Sequence, residues 1–184
     1  MIVESKPLDA LSFVSTVVFV TASGALAPGP LFFATVSHGA KSGAKGGLLF
    51  SFGHMIFELP LAALLALGFS TVVDQPIVRP LTGLLGGVAL LFFGILQIRN
   101  SLKAKHGHTG FSGMRLVQNP VLLGIIFTGL NPYFIVWWLM VGIKLISDAV
   151  LFLSFFGFLL MYASHVWMDY AWLTLSAYLA RRGA

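Results

Sequence analysis

Apolar runs of about twenty residues or more, nearly free of charge, recur along this chain and leave it few ways to fold. At a rise of 1.5 Å per residue, a helix of that length crosses the roughly 30 Å hydrocarbon layer of a bilayer. In lipid, every backbone polar group must find its partner inside a helix or a closed barrel. The runs do not alternate apolar with polar residues as barrel strands do, so the expectation is an all-α integral membrane protein. Of the 184 residues, 58% are hydrophobic, 17 are Phe and 9% carry Asp, Glu, Lys or Arg. A soluble domain is roughly 25% charged, so this chain lacks the polar surface to stay in water. Residues 1–184 read as one transmembrane domain surrounded by membrane lipid.

Five spanning segments can be drawn, over about 9–36, 46–69, 77–98, 120–143 and 149–178. Lys and Arg divide unevenly between the two sides. Lys41 and Lys45 follow the first segment, Arg99, Lys103, Lys105 and Arg115 follow the third, and Arg181 and Arg182 follow the fifth. The opposite side has Lys6, Arg79 and Lys144. The positive-inside rule then places the N-terminus outside a multi-pass protein of the cell (inner or plasma) membrane. The second and fourth loops, at Asp74-Gln75-Pro76 and Ile146-Ser147-Asp148, are too short for a domain, so function is expected within the membrane. The longer third loop, with His106 and His108 among its basic residues, reads as a solvated, lipid-facing connection.

Several function classes fall away. There is no Cys, hence no disulfide, thiolate metal site or thiol relay. The net charge of +5 sits between apolar runs, where it marks the cytoplasmic side of a membrane and not a nucleic-acid surface. No P-loop, H-E-x-x-H or G-x-S-x-G motif is present, so no enzyme, cofactor or resident metal is expected. Ala25-Leu26-Ala27 imitates a signal-peptidase site, but the preceding segment holds Glu4, Lys6 and Asp9 instead of a positive n-region, and Pro28 follows the would-be cut; no cleavage is expected.

Two segments carry helix breakers where an unbroken helix would be safest. Pro28-Gly29-Pro30 removes two backbone donors, and the helix is expected to break and restart with Pro30 in its first turn. Asn131-Pro132 offers an N-cap followed by a proline at the first helical position. Each break should expose a helix N-terminus, whose bare amides and dipole suit an anion such as an amino-acid carboxylate. Carriers built from broken helices bind solute near the membrane centre in this way.

Ionisable pairs stand at i, i+4 spacing in two other segments: His54 with Glu58, and His165 with Asp169. Glu58 lies thirteen residues after Lys45 and Asp169 twelve before Arg181, so both carboxyl groups sit roughly 18–20 Å from the cytoplasmic edge. A charge at that depth costs about 2.5 kcal/mol or more, so each acid should be protonated, paired or facing a wet cavity. Such groups are candidates for proton coupling, with the histidines as partners or relays. Gly53-His54-x-x-x-Glu58 also reads like Ser164-His165-x-x-x-Asp169, and the two broken segments correspond, as expected of a 3+3 inverted repeat. The register is imperfect: Pro30 to His54 covers 24 positions and Pro132 to His165 covers 33. Gly39, Gly43 and Gly47, and again Gly83 and Gly87, recur every four residues and should let helix backbones pack closely.

Pro28-Gly29-Pro30, the Gly39/Gly43/Gly47 ladder, Gly86 to Gly94 in the third segment and Gly129-Leu130-Asn131-Pro132 together resemble the LysE family (LysE/RhtB-type) of amino-acid exporters. The resemblance spans the chain. It implies a six-helix inner-membrane homo-oligomer that exports amino acids or related metabolites on an ion gradient, with Pro28, Gly29, Pro30, Asn131 and Pro132 at the substrate site. Tyr133, which stands where many members have a lysine, joins that set. The chain stops at Ala184, where a sixth helix is expected, so either a fragment or a packing surface supplied by a neighbouring subunit is anticipated. Two alternatives stay open: a divalent metal-cation exporter using the two histidines and two carboxylates, and an intramembrane enzyme with Glu58 or Asp169 as acid or base.

Overall fold

The computed structural model describes residues 9–69 and 119–184, with the single positions 77, 84, 88, 91, 95 and 99 between them. The second loop at Asp74-Gln75-Pro76, Arg79, Gly83, the glycines Gly86, Gly87 and Gly94, and the third loop with His106 and His108 lie outside the described residues. So does most of the third segment; its described positions Leu84, Val88, Leu91 and Ile95 are helical and exposed.

Among the described residues the fold is all helical. Helix α1 (Ala10–Ala25) starts on Asp9, whose carboxylate accepts the Ser12 amide at 2.7 Å. It stops ahead of Pro28. Gly29, in extended backbone, leads into α2 (Pro30–Ser42) with Pro30 in its first turn, as expected, and the two helices meet at 75°. A single residue then turns the chain: Gly43, at φ 63° and ψ −150°, a conformation open essentially to glycine alone. Helix α3 (Ala44–Phe69) follows and carries Pro60 in its interior. After the third segment, Asn119 caps α4 (Pro120–Gly129), and Asn131 caps α5 (Pro132–Trp137). The chain runs on through one π-helical turn (Trp138–Gly142) into α6 (Ile143–Gly183).

Helix α6 is two legs. Leu153 and Ser154 leave helical geometry, Ser154 with φ 51°. A straight helix would set Trp138 and His165 roughly 40 Å apart, yet their rings are 5.1 Å apart. The chain therefore doubles back at Leu153–Ser154. The fourth loop read at Ile146-Ser147-Asp148 is corrected accordingly: Ile146 and Ser147 are buried in helix, and Asp148 pairs with Lys144 one turn earlier. That pairing quenches the two charges that made the stretch look like a loop. The last two segments consequently divide at 153–154 and not between 143 and 149.

By length and composition, Ala44–Gly68 and the stretch Pro132–Gly183 can cross a membrane, as can α1 and α2 taken as one broken span. Two bands of core hold the bundle. Phe13, Val17, Trp138, Ile146, Met161 and Tyr162 join α1 to both legs around the reversal, while Phe50, Leu123 and Phe127 join α3 to α4. Small residues set the helix distances. A methyl on Gly39 would meet Ala177 Cα at 2.5 Å and one on Gly47 would meet Leu173 O at 2.6 Å, so two rungs of the glycine ladder pack α2 and α3 directly on α6. The middle rung, Gly43, makes the turn instead.

Candidate functional site

Helices α3 and α4 also cross in close backbone contact. A methyl on Gly53 would collide with the Val121 carbonyl, and one on Gly124 would stand 2.5 Å from Phe50 O. This approach brings His54, next to Gly53, against Thr128 of α4. One turn further along the same face of α3, Glu58 faces the second leg of α6, whose Tyr162, His165 and Asp169 fall on one face at i, i+3 and i+7.

The two ionisable pairs form one cluster. Glu58 Oε1 lies 3.1 Å from His54 Nε2 and 3.2 Å from His165 Nε2. Trp138, turned inward from the π-helical turn, donates its indole N–H to the same oxygen at 3.2 Å, and Tyr162 donates to Oε2 at 3.3 Å. Asp169 closes the set, with Oδ1 3.9 Å from His54 Nε2 and Oδ2 3.6 Å from His165 Nε2. Glu58 is 1% exposed and Asp169 7%. Hydroxyls hold the outer ring nitrogens: Thr128 Oγ1 is 2.8 Å from His54 Nδ1, and Thr21 Oγ1 is 2.9 Å from His165 Nδ1.

These contacts fix a proton count. Thr128 donates its own hydroxyl proton to Gly124 O at 2.7 Å, so it can only accept from His54, and His54 Nδ1 carries hydrogen. One proton then lies between His54 Nε2 and Glu58 Oε1, as imidazolium and carboxylate or as imidazole and carboxylic acid. Such a shared proton can leave without moving a heavy atom far.

The breaks in the first and fourth segments meet the cluster at a cavity of about 220 Å³. Pro28, Gly29, Pro30, Asn131 and Tyr133 line it together with His54, Glu58, His165 and Asp169. Pro132 sits between two of these residues as the first of α5. The breaks also touch each other, since a methyl on Gly29 would stand 3.5 Å from Asn131 Nδ2. At about 30 Å³ per water, the space suits a handful of waters or one small metabolite.

The two helix starts differ, contrary to the expectation that both stand bare. Asn131 turns its own side chain back to accept the Tyr133 amide at 3.1 Å, which partly closes the α5 terminus. Gly29 has no side chain to offer, so the first amides of α2, at Leu31 and Phe32, stay uncapped beside the cavity. Tyr133 also braces the first break, because its hydroxyl donates to Ser23 O at 3.1 Å, in the last turn of α1, where helical carbonyls need partners. Trp137 donates to Ser23 Oγ at 3.1 Å.

Every residue singled out in the sequence for solute or proton is thus brought to one place. Thr21, Thr128, Trp138 and Tyr162 join them without having stood out in the sequence. Tyr162 shares the helical face of His165 and Asp169 and is readable from that spacing; the threonines are lone hydroxyls in apolar runs, and Trp138 looks like any lipid-facing tryptophan.

Long apolar helices broken around a cavity bordered by buried ionisable groups are the features of a polytopic membrane translocator. The LysE type translocator profile matches residues 22–184, and the chain belongs to that family. No curated protein and no solved structure matches it. Membership makes it a membrane transport protein.

Proposed function

We propose that this chain is a secondary exporter of amino acids or related small zwitterions and anions, coupled to protons. The observation that carries the reading is the cavity shared by the two helix breaks and the His54/Glu58/His165/Asp169 cluster. The substrate carboxylate docks on the uncapped amides of α2, where the helix dipole adds to the hydrogen bonds. Asn131 and Tyr133 face it from the second break. The proton between His54 and Glu58 lies on the same cavity, so solute and proton can influence one another at contact distance. A carboxylate docked beside the cluster favours the protonated cluster, and loss of that proton on the far side weakens the hold on the solute.

The 3+3 inverted repeat with a sixth helix, a cell-membrane location with the N-terminus outside, and assembly into homo-oligomers belong to the same proposal. Support for the repeat lies in the cross-pairing of histidines: His54 of the first half is held by Thr128 of the second, and His165 by Thr21. The test is counterflow of a panel of radiolabelled amino acids in proteoliposomes. One or more should exchange, and a pH gradient should drive net efflux in wild type but not in Glu58→Gln or Asp169→Asn. Unchanged pH-driven flux in both variants removes the coupling role.

A further inference from the structure

We propose that His54, Glu58 and Asp169, with His165 beside them, form a binding site for a divalent transition-metal cation of the zinc class. The inference deepens the carrier reading and rests on it in one respect, that the cluster borders the solute cavity. Ligands held at about 2.0–2.2 Å around a tetrahedral ion stand about 3.3–3.6 Å from one another. Neighbouring separations in the cluster, taken to both Asp169 oxygens, are 3.1, 3.2, 3.6 and 3.9 Å. Ligand atoms of His54, Glu58 and Asp169 all fall within 4.8 Å of one another. The spacing admits three protein ligands and leaves a fourth position open.

Three further observations point to a cation. Asp169 Oδ2 is buried and has no hydrogen-bond partner among the described residues, an unmatched carboxylate oxygen that an ion in the cluster would satisfy. Both histidines turn Nε2 inward and anchor Nδ1 on a threonine, which is how metal-ligating imidazoles are oriented. Glu58 is itself braced by Trp138 and Tyr162, as ligating carboxylates are. Charge agrees as well, since a dication between two carboxylates and two neutral imidazoles leaves a buried set with no net charge. The mixed nitrogen and oxygen donors, without sulfur, suit zinc, cobalt, nickel or manganese better than copper(I), magnesium or calcium. The ion takes the place of the proton between His54 and Glu58, so metal and proton compete.

Cobalt(II) is the probe, because tetrahedral Co²⁺ absorbs visibly and reports its own geometry. The full chain, purified in detergent and freed of metal by a chelator that is then removed, is titrated with CoCl₂ at neutral pH. The expected result is one Co²⁺ per chain with tetrahedral visible bands, displaced by ZnCl₂. Binding should be lost in Asp169→Asn and weakened about 10- to 100-fold in Thr128→Val, which keeps its shape but loses the hydroxyl holding His54. Should Asp169→Asn fail to fold, Thr128→Val carries the comparison. Wild type without these bands at millimolar Co²⁺ overturns the inference, as does unchanged affinity in the variants, which would put the ion elsewhere, for instance at His106 and His108. Counterflow is measured in parallel with and without chelator. Amino-acid exchange without metal binding sinks the metal site and leaves the carrier; stoichiometric metal with no amino-acid exchange does the reverse.

Discussion

Glu58 shows how one side chain in a membrane core can be held by many. Its two oxygens face His54, His165, Trp138 and Tyr162, each from a different stretch of chain except the paired His165 and Tyr162. Removing a partner leaves a buried polar group unmatched, which costs about 1–3 kcal/mol. Tyr162→Phe should therefore lower the thermal unfolding midpoint in detergent without abolishing folding; an unchanged midpoint would show that the bond to Oε2 adds nothing. At the opposite extreme is Ser154, a residue with a Cβ in a backbone region that favours glycine. Ser154→Gly is expected to stabilise the fold by about 1 kcal/mol, read as a higher unfolding midpoint. The i, i+4 pairs were legible in the sequence because helical periodicity alone puts both members on one face. Their convergence was not, since nothing local relates residue 58 to residue 165.

Among the elements, the breaks followed from local chemistry. Proline cannot donate, Asn131 can cap, and both restarts occur at the residue where these properties place them. The reversal at Leu153–Ser154 escaped the same reading because a lone serine in an apolar run is a weak turn signal beside Pro-Gly-Pro or Asn-Pro, and the charged residues nearby, Lys144 and Asp148, neutralise each other along one helix face. The α3–α4 crossing depends on Gly53 and Gly124 as backbone spacers. Gly124→Ala should push the helices apart, lengthen the His54–Thr128 contact and cost about 1–3 kcal/mol of stability. The check is a lower unfolding midpoint together with reduced counterflow; full activity at wild-type stability would show that the crossing has slack. Pro60, two residues past Glu58 on α3, is as plain in the sequence as the other breakers, yet the helix runs through it, and it frees a carbonyl close to the cluster.

At the scale of the whole molecule, the bundle is polarised. Gly43 packs against Arg181, which gathers Lys41, Lys45, Arg181 and Arg182 at one end, whereas Phe13 stacks on Phe152 at 5.1 Å beside the reversal at the other. In the proposed orientation, which follows the positive-inside rule, the first end faces the cytoplasm. Because the chain has no Cys, single-cysteine variants report topology cleanly. In right-side-out vesicles an impermeant maleimide should label Ser154→Cys and spare Lys41→Cys and Arg182→Cys; the opposite pattern would invert the orientation. Phe19 and Leu11, 84% and 78% exposed, belong to an apolar outer surface suited to lipid and not to water. That surface, the helical class and the two breaks were determined by the sequence alone, because hydropathy, proline and i, i+4 spacing act within one or two turns of chain. Which segments meet was decided by tertiary packing: glycine contacts and a mid-helix reversal bring residues over a hundred positions apart to one carboxylate, and such long-range closure leaves no local signature.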